Sequence, residues 1–263
     1  MRSRATKEAN PAGGLSECNR QLICAYGSDW KNGRAMSDTT TSTLAAALWD
    51  FDGTLAETEP LWIAAEYGLI DQLGGTWSEE HAEQLVGNSL LDSGSYILNA
   101  IGRVDLSPAW VVEQLLTEVV DHIRQHPIVW RPGAIELLES FAAAGVPCAL
   151  VSASYRVLLD AALSQLPEGT FQVSVAGDEV NRGKPHPEPY EKACTALGVS
   201  ARHCVVLEDS ETGCRAGNAA GALVVAVPNR VVIPEAPRRL HVGSLAELDA
   251  AAVARMLEQF NED

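Results

Sequence analysis

No apolar run in the sequence approaches the ~20 residues that a helix needs to cross a bilayer, which excludes a transmembrane helix. The six cysteines, at 18, 24, 148, 194, 204 and 214, contain no C-x-x-C pair and no dense framework. With the six histidines they form no metal or nucleophile constellation. Several sit in apolar runs, as Cys148 does in "VPCALV", and these read as buried thiols in a reducing, cytoplasmic setting. Positive charge is scarce, with 19 Lys and Arg against 35 Asp and Glu and a net charge of −16. That balance argues against nucleic acid or an anionic membrane as partner. An anionic ligand would need a local cation to overcome the field. There are no internal repeats, and residues 58–126 contain no lysine.

What is present is a chain of 263 residues, 46% hydrophobic, long enough for one sizeable core and a smaller subdomain. Residues 1–43 stand apart. Through Ala35 there are six Lys and Arg against three Asp and Glu, with no sustained periodicity and no apolar core of a secretory signal. They are expected to be a disordered extension or the product of an upstream start, with a transit-type peptide as the alternative. From Leu44 short apolar runs alternate with helical stretches. Leu44–Trp49, Pro147–Val151, Phe171–Ala176, Cys204–Leu207 and Leu223–Val227 read as buried strands, and strand–helix alternation predicts a parallel sheet covered on both faces. Residues 58–126 break the pattern with helical pieces alone. Among them "SPAWVVEQLLTEVVDHIRQ" has Ser107 as N-cap and Pro108 in the first turn.

In an open parallel sheet, ligands bind beyond the carboxyl ends of the strands. Strand one ends in "WDFDGTL" with Asp50 and Asp52, strand two in Ser152 of "VSAS", strand four in "LEDSETG" with Glu208 and Asp209. "GKP", with Lys184, follows strand three. Asp50 and Asp52 are two apart, so in an extended chain both side chains point the same way. A hard divalent cation such as Mg²⁺ would remove their repulsion.

These four segments, in this order and spacing, resemble the four motifs of the haloacid dehalogenase superfamily over about residues 44–228. The helical interval resembles the cap of its phosphatase and β-phosphoglucomutase branch. The fold that the resemblance implies is α/β, a Rossmann-like parallel sheet core (44–57 and 127–263) with an inserted helical cap (58–126). The activity it implies is a Mg²⁺-dependent phosphoric monoester hydrolase acting on a small phosphorylated metabolite, as a monomer. Asp50 would attack phosphorus to give an aspartyl-phosphate, and Asp52 would be general acid and base. Ser152 and Ala153 would bind the phosphoryl group and Lys184 would offset its charge. Asp50, Asp52, Glu208 and Asp209 would hold the metal.

Within the superfamily, Asp52 disfavours a dehalogenase, which has no oxyanion leaving group to protonate. A phosphonatase would need a cap lysine, and there is none. A sugar-phosphate mutase is the main rival. Its family places a His after the first motif and a Lys and Arg in a cap loop, where this sequence has Trp62, Val86 and Leu90. A mutase must hold a second phosphate, and apolar side chains do not, so the expectation is a phosphatase; a non-catalytic phosphate-binding protein is the remaining alternative. Glu57, Glu59 and Trp62 are expected near the cleft entrance, Trp62 either packed in the cap or facing substrate.

Overall fold

The computed structural model describes residues 44–262 apart from Val86, so the expectation for residues 1–43 lies outside the described residues. The sheet has six strands: β1 (Ala46–Trp49), β2 (Cys148–Val151), β3 (Val173–Val175), β4 (Cys204–Glu208), β5 (Leu223–Ala226) and β6 (Arg239–His241). All pair in parallel, in the order β3-β2-β1-β4-β5-β6. Every residue of β1, β2, β4 and β5 is buried. Side chains alternate across the sheet: Ala47 and Trp49 pack into one core with Phe141 and Leu150, while Ala46 and Leu48 pack into the other with Val151 and Tyr190.

Four helices follow β1: α1 (Glu59–Gln72), α2 (Glu79–Glu83), α3 (Leu90–Ala100) and α4 (Pro108–Gln125). In α4 the Ser107 hydroxyl accepts from the Trp110 amide, and Pro108 occupies the first turn. Its seven buried positions, Val111 to Ile123, pack against α1 and α3. At roughly 2 kcal/mol per buried aliphatic side chain, that face outweighs any helix propensity. The remaining helices cover the sheet: α5 (Ala134–Ala143), α6 (Arg156–Leu163), α7 (Glu188–Leu197), α8 (Glu211–Ala219) and α9 (Ala250–Glu262). The architecture is the expected α/β core with a helical insertion after the first strand. No helix among the described residues is long and apolar enough to cross a membrane.

Two elements depart from the sequence reading. β6 was not expected, because only Leu240 of its three residues is apolar. Arg239 is nonetheless buried, since its guanidinium donates to Glu211 at 2.7 Å, to the Pro234 carbonyl and to Asn218. β3 is shorter than its apolar run, three residues rather than six. The strand order places β1 between β2 and β4. The chain leaves β1 toward one edge and returns to build the other, and a crevice at such a switch point is where ligands bind.

Candidate active site

β1 delivers Asp50 to this crevice, its amide donating to the Leu207 carbonyl of β4 at 3.0 Å. The chain then turns sharply. Gly53 has φ +83°, and a Cβ there would lie 2.1 Å from Asp209 Oδ2, so no other residue fits without displacing that carboxylate. The Gly53 amide donates to the Ala56 carbonyl at 2.8 Å and is therefore occupied in closing the turn.

Four charged side chains converge at the strand ends. Lys184 Nζ donates to Asp50 Oδ1 at 2.7 Å, to Glu208 Oε1 at 2.6 Å and to the Val151 carbonyl at 3.0 Å. Asp50, Glu208 and Asp209 each place an oxygen within 4.8 Å of the others, and all three are buried. Glu208 has no exposed surface. Its Oε1 also accepts from the Tyr190 hydroxyl at 2.8 Å, and its Oε2 from the Ser210 hydroxyl and amide. A Cβ at Gly213 would fall 1.6 Å from Glu208 Oε1, so the first turn of α8 requires glycine there. Thr54 Oγ1 donates to Asp209 at 3.4 Å. Asp50 Oδ2 is buried with no hydrogen-bond partner.

Burial and the Glu208 charge push the Asp50 carboxyl well up, and Lys184 only partly offsets them. Burial likewise raises Asp209, with Asp50 and Glu208 adding to it. For Lys184, burial alone would lower the ammonium, but Asp50 and Glu208 outweigh it and hold it above its ordinary value. Three carboxylates with one ammonium leave an excess of negative charge in a dry site, which is unfavourable without a further cation or protons.

Asp52 stands apart from that group. Its Oδ1 accepts from Thr58 Oγ1 at 2.6 Å and Trp62 Nε1 at 2.9 Å. Its Oδ2 accepts from Ser152 Oγ at 3.1 Å and Ser154 Oγ at 2.8 Å. Nearby, Glu59 Oε2 accepts from Asn229 at 2.6 Å, while its Oε1 is buried without a partner. Burial and Glu57 push Glu59 up to about 7. The loop at Gly87 comes against Ser210: a Cβ on this glycine would lie 3.1 Å from Ser210 Cβ. The helical insertion thus reaches the strand-end motif carrying Glu208 and Asp209.

A sequence profile of the haloacid dehalogenase-like hydrolases matches residues 47–227. The chain belongs to the haloacid dehalogenase-like hydrolase family. Hexitol phosphatase B of Escherichia coli (strain K12) is 30% identical over 230 residues, covering 80% of this chain and 97% of that protein. The bifunctional riboflavin kinase/FMN phosphatase of Arabidopsis thaliana is 29% identical over 218 residues, 81% of this chain. The chain spans about half of that larger protein, 54% of its length. The crystal structure of CbbY from Rhodobacter sphaeroides in complex with phosphate has a TM-score of 0.70 at 28% identity, over 78% of this chain and 96% of that one.

In this haloacid dehalogenase-like hydrolase, the expected residues divide into two groups. Asp50, Lys184, Glu208 and Asp209 come together. Asp52, expected as a metal ligand, has its carboxylate among four neutral donors and outside the cluster of three acids. Ser152 faces Asp52 and accepts from the Ser154 amide at 2.9 Å. Ala153 lies half-buried between them, its carbonyl packed where a Cβ on Gly177 would be. Sequence reasoning missed Thr58, Ser154, Tyr190 and Ser210 as site neighbours. Ser154 carried a signal, two residues beyond Ser152 on the same side of an extended chain. Trp62 packs half-buried against the core and also turns its indole N–H to Asp52.

Proposed function

We propose that the chain is a divalent-cation-dependent phosphatase that cleaves a small phosphorylated metabolite through an aspartyl-phosphate on Asp50. The single observation that carries this reading is Asp50 itself. It is a buried carboxylate with one oxygen held by Lys184 and the other without a partner, beside two further buried acids.

The donor set fits Mg²⁺: all ligand atoms are oxygens, they lie close enough to share one ion, and one buried acceptor lacks a donor. Asp50, Glu208 and Asp209 are the side chains that would hold it. Bound there, the ion would neutralise the acids and draw charge from a phosphoryl oxygen. The chain's own residues do the rest. Asp50 attacks phosphorus, and the ester oxygen leaves with a proton from Asp52. Asp52, now a carboxylate, takes a proton from the water that attacks the aspartyl-phosphate, which releases phosphate and restores both acids. Lys184 keeps its ammonium against Asp50 throughout and limits the charge that builds up there. Ser152, whose hydroxyl donates to Asp52 at 3.1 Å, would bind a phosphoryl oxygen once Asp52 turns. Residues 58–126 act as the cap that excludes water and selects the leaving group.

The hexitol and FMN phosphatases among the relatives support a phosphorylated small molecule as substrate. Asp50→Asn is expected to abolish turnover of p-nitrophenyl phosphate in the purified protein; retained turnover overturns the assignment. β-Glucose 1-phosphate with a bisphosphate primer separates the rival chemistry. Inorganic phosphate as product fits the hydrolase, and glucose 6-phosphate would make the protein a mutase. A screen of phosphorylated metabolites would then identify the substrate.

A further inference from the structure

We propose that the groove between α8 and the start of β6 is a second, non-catalytic site that binds a small oxyanion, a phosphate group either free or carried by a metabolite. It stands apart from the phosphatase reading, because no residue of the strand-end site lines this groove.

Positive charge is scarce in the chain, yet three of the 13 Lys and Arg after residue 43 line this one groove of about 490 Å³. They are Arg215, Arg238 and Arg239. Glu211 and Glu235 also line it, so the arginines are in excess by one charge. In a chain of net charge −16 that is a local reversal of sign. The volume is that of a small-ligand pocket.

On α8, Glu211, Arg215 and Asn218 fall at i, i+4 and i+7 and so share one face. Across the groove, Arg238 has φ +56°, in the left-handed region that residues other than glycine seldom adopt. Its guanidinium lies toward the end of α9, where Phe260 and Asn261 accept at 3.5 and 3.4 Å. Arg239, the next residue, bonds to α8 instead.

Arg239 is a fixed fork with an unused edge. Its side chain is 2% exposed. Nε donates to Asn218 Oδ1 at 3.1 Å, and Nη1 to Glu211 Oε2 and the Pro234 carbonyl, both at 2.7 Å. Those bonds use three of the five N–H groups that a guanidinium carries. The two on Nη2 meet no acceptor among the described residues. A structural tie between β6 and α8 accounts for the first three and leaves the last two without a use, and a buried charged donor left unpaired is costly. Arg215 is exposed and has no hydrogen bond or ion pair among the described residues. One rigid guanidinium and one unpaired guanidinium on the same groove can close on a tetrahedral oxyanion from two sides. Glu211 opposes this little, since Arg239 already takes up its charge at 2.7 Å.

Titration calorimetry of the full chain in EDTA at pH 8 tests the site. Without a divalent ion the strand-end cluster holds three acids against one ammonium, which disfavours a second anion there. Inorganic phosphate is expected to bind with a Kd of about 1 mM or tighter. Arg215→Gln, at an exposed helix position, is expected to weaken it at least about tenfold through the loss of a charge-assisted bond. Arg215→Lys, which keeps the charge and loses the fork, should fall between the two. Glucose 6-phosphate is titrated in parallel. Tighter binding than inorganic phosphate assigns the groove to a phosphorylated metabolite, and otherwise it belongs to the free anion; either result supports the site. No binding of either ligand, or an affinity that Arg215→Gln leaves unchanged, would overturn the proposal.

Discussion

Replacing Lys184 with methionine isolates the electrostatics of the site. The ammonium is 4% exposed and bonds to Asp50 at 2.7 Å and to Glu208, which has no exposed side-chain surface, at 2.6 Å. Methionine fills much of the same volume but leaves three buried acids, with oxygens within 4.8 Å, and no counter-charge. Removing one partner of a buried ion pair costs ~3–5 kcal/mol. Proton uptake limits the cost. Burial and Glu208 already raise Asp50 from 3.8 to about 7, so its contribution to stability is full below about pH 4 and is lost as pH rises through 7. Loss of Lys184 raises Asp50 further, so the penalty is smaller at pH 6 than at pH 8. For a fold of this size, ~3–5 kcal/mol corresponds to a melting-temperature fall of roughly 6–20 °C. Thermal melts of both proteins in EDTA at pH 6 and pH 8 measure it directly. A Lys184→Met melting temperature within about 2 °C of wild type at pH 8 would refute the account of the acid cluster.

Glu66, on α1, is 5% exposed and accepts one bond, from Trp77 Nε1 at 3.1 Å. Burial raises it from 4.5 to about 7, so its contribution to stability is present below about pH 4.5 and is lost as pH rises through 7. Glu66→Gln should therefore stabilise the protein at pH 8 by up to roughly 3 kcal/mol and change little at pH 5, as read from urea midpoints. Gly213→Ala would place a methyl 1.6 Å from Glu208 Oε1, so it should lower the melting temperature and abolish phosphatase turnover together. Saturating Mg²⁺ should raise the wild-type melting temperature and leave that of a protein lacking the acid cluster, Asp50→Ala with Asp209→Ala, unchanged.

The parts of the site that were legible in the sequence each stood at the end of an apolar run. Asp50, Ser152, Glu208 and Asp209 terminate strands whose residues are all buried, and a charge there can only be solvated or functional. Lys184 was legible because it follows the third of those runs. β6 escaped notice since two of its three residues are polar, and Arg239 is buried only through partners on α8 and in the 234 loop. Tyr190 escaped for another reason, and Trp62, expected near the cleft, was legible in place but not in its bond to Asp52. An aromatic side chain at helical spacing reads as packing, and only the tertiary fold reveals whether its polar atom meets a carboxylate. Tyr190 is fully buried and still bonds Glu208 through its hydroxyl. The two-residue spacing of Asp50 and Asp52 does not reveal the four donors that hold the Asp52 carboxylate, because Thr58, Trp62, Ser152 and Ser154 meet it only through the tertiary fold.

The central claim is that Asp50 carries the phosphoryl group. Acid quenching during steady turnover of p-nitrophenyl phosphate with Mg²⁺, followed by proteolysis and mass analysis, tests it directly. The account predicts one phosphoryl group on the peptide containing Asp50 and none in Asp50→Asn. Continued turnover with no phosphoryl group on that peptide, or with one on another residue, would contradict it.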